Sequence, residues 1–302
     1  MRDLQGNMKV TAVLGCGVIG SSWVAAFVDA RHRVQAWDPD PHARAMLKRD
    51  FGSLVEIFDT PGAAVCNADF VQENGPELLT TKRLLLREVS GYVAAHTVVA
   101  SSTSTLQPSQ LQADLDFVDR LLVGHPFNPP HILPLVEVVG GVATARWAID
   151  EAMKFYAALG KHPIELRRER PGHLANRLQA ALWREAVDAV ASGQASVEDV
   201  DAAVTLALGP RWALNGPFAT FHLGGGEGGL QHFIDHLGPA FEALWDDAQR
   251  PLMTVQLQRQ LVSAIATRFA GRSLRDVTTE RDTRLRAILS LTQQPLPESG
   301  NG

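Results

Sequence analysis

Six residues near the start of the chain, Gly15-Cys16-Gly17-Val18-Ile19-Gly20, restrict the fold more than any other feature. Three glycines at this spacing suit a tight turn between a strand and a helix, and the flanks supply both. Val10 to Leu14 is a nearly unbroken apolar run, as a strand buried on both faces requires. A helix is expected after it, over about Ser21 to Ala30. Asp38 stands 23 residues after Gly15, at the end of the next short apolar run, Val34 to Trp37. Each residue then has a task. Gly15 permits the turn, Gly17 lets the backbone approach a diphosphate, and Gly20 lets helix and strand pack closely. Val18 and Ile19 lead into the helix N-terminus, whose free N–H groups and positive dipole end attract phosphate oxygens. Asp38 can accept hydrogen bonds from both ribose hydroxyls, and its charge repels a 2′-phosphate, so the pattern predicts NAD rather than NADP. Arg31 and Arg33 hint the other way, but they precede the strand and are expected to point away. Flavin dinucleotides share the motif, usually at the head of a larger chain.

The rest of the first half alternates in the same manner. Asp38-Pro39-Asp40-Pro41 ends the second strand and can cap a helix over His42 to Arg49. Asp69 to Gln72, Thr97 to Ala100 and Leu121 to Gly124 read as buried strands. Glu77 to Ala94 reads as a long amphipathic helix that buries Leu78, Leu85, Val89 and Val93. Leu133 to Val139 and His162 to Leu166 are the last strand candidates, with a helix over Thr144 to Leu159 between them. Arg167 to Gly172 is charged and ends in Pro-Gly, which marks a domain boundary. Beyond it only helices are expected, over about 172–191, 197–207, 227–236, 252–270 and 272–291. Turns at Gly193, Gly209-Pro210, Gly238-Pro239 and Gly271 separate most of them. The polar tail from Gln293 to Gly302 reads as disordered. The expected architecture is therefore α/β: an N-terminal doubly wound Rossmann sheet over residues 1–170, then an all-helical domain over 171–302.

Composition removes other classes. A net charge of −5 without a basic cluster argues against nucleic-acid binding. No apolar run is long enough to span a bilayer, and Met1 to Lys9 lacks the apolar core of a secretory signal. Only two cysteines occur; Cys16 lies within the glycine turn and Cys66 reads as a small core residue, so a reduced, cytoplasmic protein is expected.

Removing a hydride from a carbinol carbon needs a base for the hydroxyl proton, and histidine suits that at neutral pH. His125 follows a buried strand, where the ligand crevice of a doubly wound sheet lies. Proline-rich residues after it stiffen the turn. Glu137 is the lone acid of the apolar strand Leu133 to Val139. A buried carboxylate is costly unless paired, and an imidazole is a natural partner. His125 is one candidate; His131, nearer in sequence but expected on the exposed turn, is the other.

The glycine turn, Phe70-Val71-Gln72-Glu73-Asn74, Ser101-Ser102-Thr103-Ser104, His125-Pro126-Phe127-Asn128-Pro129, Leu135-Val136-Glu137-Val138 and Pro171-Gly172-His173-Leu174-Ala175-Asn176-Arg177-Leu178 follow one another along nearly the whole chain. In that order they resemble the 3-hydroxyacyl-CoA dehydrogenase family. The resemblance implies a two-domain, NAD-dependent enzyme whose helical domain dimerises and closes the site. It implies His125 as the base and Glu137 as its partner, with Ser104 and Asn176 contacting the reacting oxygen. Both carry donors able to stabilise an alkoxide-like oxygen. It also adds Glu73, near the nicotinamide ribose, and Ser102 to the cofactor-binding residues.

Two features bear on the substrate. Residues 39 to 72 are few, whereas coenzyme A-using members carry a longer helical excursion there. In the C-terminal half, the segments 208–213, 215–218 and 221–229 resemble the branch of the family that takes small free hydroxy acids such as carnitine and gulonate. A trimethylammonium group binds well against aromatic faces with an acid nearby. Trp183, Trp212, Phe218, Phe221 and Glu227 are available, and Arg211 could hold a carboxylate. Helical tryptophans are equally core or interface residues. Coenzyme A thioesters stay open as the alternative substrate, and a non-catalytic NAD-binding protein as the alternative of another class. His222, Glu227, His232 and His236 suggest a metal, but without the H-E-x-x-H order none is expected.

Overall fold

The computed structural model describes residues 8–293, so the expectation for the tail from Gln293 onward lies, but for Gln293 at the end of the last helix, outside the described residues. These residues fall into two compact units that part after Arg177. The first is built on a single sheet of eight strands: β1 (Val10–Leu14), β2 (Arg33–Trp37), β3 (Val55–Ile57), β4 (Phe70–Glu73), β5 (Val98–Ser101), β6 (Leu121–Pro126), β7 (Leu135–Gly140) and β8 (His162–Glu165). They are ordered β3-β2-β1-β4-β5-β6-β7-β8. All neighbours are parallel except β6 and β7. The chain turns outward in both directions from β1 and β4, which places the ligand crevice beyond their C-terminal ends.

The helices of this unit are α1 (Val18–Asp29), α2 (Pro41–Phe51), α3 (Pro61–Val65), α4 (Leu79–Val89), α5 (Pro108–Leu111) and α6 (Arg146–Ala158). They cover both faces. Alternate residues of β1 point to opposite sides. Val13 joins Trp23, Phe27, Phe70, Phe155 and Tyr156 on one face, and Ala12 and Leu14 join Val71, Leu86, Val89 and Phe117 on the other.

Several local expectations are corrected. Helix α1 begins at Val18 rather than Ser21, because Gly17 itself is the N-cap. Arg33 opens β2, where it pairs with Glu56 at the exposed edge. Strand β3 and helix α3 carry too few residues for a periodic signal. Helix α4 stops at Val89 and passes into a 3-10 turn, Ser90–Tyr92. Its cap residue Leu78 is exposed, while Lys82 takes a buried position on its apolar face. Cys66 is exposed rather than core, because it caps the C-terminal end of α3.

The second unit is helical among the described residues. Helix α7 (Ala175–Ala191) leads into it, and α8 (Val197–Ala203), α9 (Gly209–Leu214), α10 (Pro217–Gly224), α11 (Gly229–Asp247), α12 (Val255–Arg268) and α13 (Leu274–Gln293) follow. Gly209-Pro210 does not break the chain. A π-helical turn, Val204–Leu208, runs straight into α9, with the proline in the first turn of α9. Nor does Gly238-Pro239 separate two helices. Helix α11 passes through Pro239 at the loss of a single intrahelical bond. Its interior packs little; Val187, Val190 and Leu257 form its one buried apolar cluster among the described residues.

Candidate active site

The glycine turn fits a dinucleotide for reasons visible atom by atom. Gly15 adopts φ +87°, a conformation that favours glycine, and a Cβ there would stand 2.8 Å from the Asn74 backbone. A Cβ on Gly20 would lie 1.8 Å from the Gly15 carbonyl, so the first turn of α1 can sit against β1 only with glycine. At Gly17 a Cβ would meet nothing within 4 Å. There the missing side chain leaves room for a phosphate at the end of α1, where no side chain caps the helix. Asp38 ends the second strand as expected. Its Oδ2 accepts from Cys16 N at 2.6 Å and its Oδ1 from Asp40 N at 2.8 Å, which fixes the carboxylate at the mouth of the turn. A cavity of about 530 Å³ runs from Gly15 and Gly17 past Asp38 to Leu84 and Glu88 of α4.

Two of the expected cofactor residues serve neighbours. Glu73 is 0% exposed. Its oxygens take Lys82 Nζ, each at 3.0 Å, the Ser101 hydroxyl at 2.5 Å and Gly75 N at 2.6 Å. These bonds hold the carboxylate at the floor of the crevice. Ser102 is part-buried. Its Oγ accepts from Trp23 Nε1 and Gln72 Nε2 and donates to Asn74 Oδ1 at 2.7 Å. Gln72 in turn accepts from the Tyr156 hydroxyl at 2.6 Å.

At the end of β6, His125 stands opposite Glu137 of the antiparallel β7. Adjacent strands in register bring the two side chains together on one face. His125 Nδ1 lies 2.8 Å from Glu137 Oε2. A carboxylate accepts, so Nδ1 carries the hydrogen and Nε2 is left as the basic nitrogen. Glu137 Oε1 accepts from Leu174 N at 3.0 Å and Ala175 N at 2.8 Å, the entry to α7. Burial would raise this carboxyl. The hydrogen bonds from His125, Ala175 and Leu174, with the charge of His125, hold it below its ordinary value. His131, the other candidate partner, turns to Ser22, with Nδ1 2.6 Å from its hydroxyl.

Ser104 and Asn176 also meet: Asn176 Nδ2 donates to the Ser104 carbonyl at 3.2 Å. Two neighbours went unnoticed in the sequence. His173 is buried, with its ring 5.2 Å from that of His125 and its Nε2 donating to the Thr103 carbonyl at 2.9 Å. Its Nδ1 has no hydrogen-bond partner among the described residues, and burial pushes its pKa down. The other is Glu77, whose Oε1 gathers the whole turn from Thr103 to Thr105.

Of the residues expected to hold a substrate, Arg211, Trp212 and Phe221 line one cavity of about 490 Å³ within the helical unit, with Phe233 and Phe241. Phe221 stacks on Phe233 at 4.4 Å. Phe218, 78% exposed, and the exposed Glu227 do not line it. Trp183 lines a separate apolar cavity with Val187, Val190 and Leu261. No cluster of His, Cys, Asp or Glu able to hold a metal occurs among the described residues.

A doubly wound sheet with a glycine cradle and an acid at the end of its second strand defines an NAD-dependent oxidoreductase. The chain belongs to the 3-hydroxyacyl-CoA dehydrogenase family: residues 48–170 match its NAD binding domain and residues 172–260 its C-terminal domain. It is similar to an L-carnitine dehydrogenase of Nocardiopsis dassonvillei, 43% identical over 298 residues that cover 93% of this chain and 91% of that protein. The L-carnitine dehydrogenase of Streptomyces griseus is 42% identical, over 97% of this chain and 92% of its own. Among solved structures, 5-formyl-3-hydroxy-2-methylpyridine 4-carboxylic acid 5-dehydrogenase, an NAD-dependent dismutase, superposes with a TM-score of 0.82 at 26% identity, covering 94% of this chain and 98% of that one. A 3-hydroxyacyl-CoA dehydrogenase of Archaeoglobus fulgidus gives 0.64 at 25% identity, covering 94% of this chain and 100% of that one.

Proposed function

We propose that this enzyme oxidises the 3-hydroxyl of a small free L-3-hydroxy acid, with L-carnitine the first candidate, to the 3-keto product. The observation that carries the chemistry is the buried His125–Glu137 pair, whose geometry leaves Nε2 of His125 as the basic nitrogen. That nitrogen takes the hydroxyl proton, and Glu137 steadies the imidazolium that results. Bound NAD supplies the acceptor for the hydride that leaves the carbinol carbon. Ser104 and Asn176 donate to the oxygen as its charge grows. Gly15, Gly17 and Gly20, with Val18 and Ile19 at the helix entry, hold the diphosphate, and Asp38 holds the adenosine ribose. Glu73 and Ser102 keep the crevice floor in shape.

The carnitine reading draws on the relatives at 42–43% identity and on the short stretch between Asp38 and Glu73. Arg211, Trp212 and Phe221 suit a zwitterion, the guanidinium for the carboxylate and the rings for the trimethylammonium group. Phe218 and Glu227 are secondary candidates for the same task. Residues 1–170 serve NAD, and 171–302 serve substrate and pairing. The helical unit leaves Leu206, Leu214, Trp245 and Leu252 at 70% exposure or more, as an element built to pack against a second copy does. A homodimer follows, and a monomeric mass in sedimentation would refute it. The two unpaired cysteines suit the cytoplasm. Exclusive recovery outside it by cell fractionation would refute this placement.

NADH formation should be measured across L-carnitine, L-gulonate, 3-hydroxybutyrate and its coenzyme A thioester. The reading expects carnitine to turn over best. Turnover of the thioester alone would make this a short-chain 3-hydroxyacyl-CoA dehydrogenase, and NADH binding with no turnover on any of them would make it a non-catalytic binder.

A further inference from the structure

Between Pro171 and α7 the chain takes a conformation that few side chains accept. Gly172 adopts φ +77°, and His173 follows at φ +51°. For a residue with a Cβ this left-handed region is unfavourable, so His173 must be held there. Its N–H donates to the Arg170 carbonyl at 3.0 Å, and its ring Nε2 donates to the Thr103 carbonyl at 2.9 Å. The next two N–H groups, of Leu174 and Ala175, go to Glu137. The ring is thereby fixed, 3% exposed, between the turn after β5 and the His125–Glu137 pair.

A carbonyl only accepts, so the neutral ring carries its hydrogen on Nε2 and Nδ1 is a bare lone pair. That nitrogen has no hydrogen-bond partner among the described residues. A buried polar atom left alone is costly, and an apolar side chain of similar size would avoid the cost. The ring centre lies 5.2 Å from that of His125, with the planes tilted by 42°. Burial keeps a second proton off His173, and the charge of His125 on β6 acts in the same direction. The hydrogen bond to Thr103 and the charges of Glu137 on β7 and Glu77 before α4 oppose them without prevailing. His125, by contrast, faces a carboxylate oxygen of Glu137 at 2.8 Å. Of two neighbouring imidazoles, one has a carboxylate as hydrogen-bond partner and the other has only a carbonyl.

We propose that His173 is a positioning residue for the oxidation: a neutral imidazole whose bare Nδ1 favours the imidazolium that forms when His125 takes the hydroxyl proton. The inference rests on the reading of His125 as the base. In that step the proton moves from the hydroxyl to His125 Nε2, and the O–H electron pair becomes the second carbon–oxygen bond. The hydride leaves with its own pair for NAD, and His173 gains and loses nothing. Its part is electrostatic. As positive charge grows on His125, a lone pair in a site sheltered from water stabilises it. A second protonated ring at this distance would do the reverse, so a ring that burial keeps neutral suits the place. The orphaned nitrogen, unfavourable in the resting protein, then has its use at the step where charge appears.

The test uses the intact enzyme with NAD and whichever hydroxy acid turns over best, and follows kcat/KM over about pH 5 to 10. Oxidation needs the base unprotonated, so the rate falls on the acid side as the base titrates. H173F keeps a flat ring and removes both nitrogens. The midpoint of its acid limb is expected to move down by about 0.5–1 pH unit, and its plateau to fall about 3- to 10-fold. H173Q still donates to Thr103 and still carries a bare acceptor, so its midpoint is expected within about 0.3 unit of wild type. A lower plateau with an unmoved midpoint in H173F, or an equal shift in both variants, overturns the proposal while the base reading stands. H125A is expected to abolish turnover; if it keeps both turnover and the acid limb, the base reading falls and this inference with it. Should H173F not fold, nitrogen NMR of the histidine rings in the wild-type enzyme decides, with H173Q assigning the signal. His173 is expected to stay neutral, its hydrogen on Nε2, over about pH 6 to 9, and uptake of a second proton within that range overturns the proposal.

Discussion

Replacing Glu137 with glutamine tests the proposed chemistry at its centre, because the amide cannot satisfy all the groups the carboxylate satisfies. Oε2 faces His125 Nδ1 at 2.8 Å, while Oε1 accepts from Leu174 N and Ala175 N. A glutamine has one acceptor and one donor end. With its oxygen toward the two backbone N–H groups, its NH2 faces Nδ1, and the imidazole must move its hydrogen to Nε2. No hydrogen bond is lost, but the base is. With the amide reversed, His125 keeps its tautomer and the NH2 group opposes two backbone donors. Each buried donor left without a partner costs about 1–3 kcal/mol, so this arrangement lies about 2–6 kcal/mol higher. At about 1.4 kcal/mol per decade, the competent fraction falls between about 30-fold and about 10⁴-fold. The loss should sit in kcat, measured by NADH absorbance, with NAD binding and melting temperature close to wild type. Glu137→Gln with kcat within fivefold of wild type, properly folded and binding NAD, would show that His125 does not depend on this carboxylate and would refute the dyad.

Three other substitutions act on the glycine turn and the core. Gly17→Ala adds a methyl that meets no protein atom within 4 Å, so the apo protein should melt within about 0.5 kcal/mol of wild type while NAD affinity falls at least about tenfold, as that space is needed by the diphosphate; unchanged affinity by calorimetry would place the phosphates elsewhere. Gly20→Ala drives a Cβ to 1.8 Å from the Gly15 carbonyl and should cost both affinity and about 1–3 kcal/mol of stability. His32 is 6% exposed, and burial, aided by the charge of Lys9, pushes its pKa down from 6.5 to about 4. Between those values the unfolded chain binds a proton that the folded protein refuses, so stability rises with pH across the window, by about 3 kcal/mol in all. His32→Leu should therefore be more stabilising at pH 5 than at pH 8 by about 2 kcal/mol in urea midpoints, and equal effects at both would refute the assignment.

What the sequence reveals is what local chemistry encodes. The strand Val10–Leu14, the glycine turn and Asp38 are close in the chain, and each residue type is demanded by its own position. The helical unit is less legible. Prolines at 210 and 239 carry a strong local bias against helix, yet one sits where a π-helical turn passes into α9 and the other inside a helix that runs on past it. Lys82 carries a sequence signal of its own. It shares a helical face with Leu85, Leu86 and Val89 at positions i, i+3, i+4 and i+7, and a lysine on an apolar stripe requires a buried anion nearby.

That anion leads to the deeper reason. Around the sheet the acids act by gripping main chain: Asp38 holds Cys16 N, Glu73 holds Gly75 N, Glu77 holds Ser104 N and Thr105 N, and Glu137 holds Leu174 N and Ala175 N. A backbone N–H is the same on every residue but proline, so such a bond leaves no mark at the partner's position. The sequence shows one half of each pair, an acid in apolar or turn surroundings, and hides the other. Glu137 was recognisable because its second oxygen meets a side chain with an identity of its own, His125. Glu77 has hydroxyls and N–H groups for partners, with its cation 3.9 Å away, and reads as an ordinary surface acid until the turn is folded around it. Lone acids at strand ends and loop entries are thus where unannounced support for a site should be sought, and the geometry that decides among them is the main chain's.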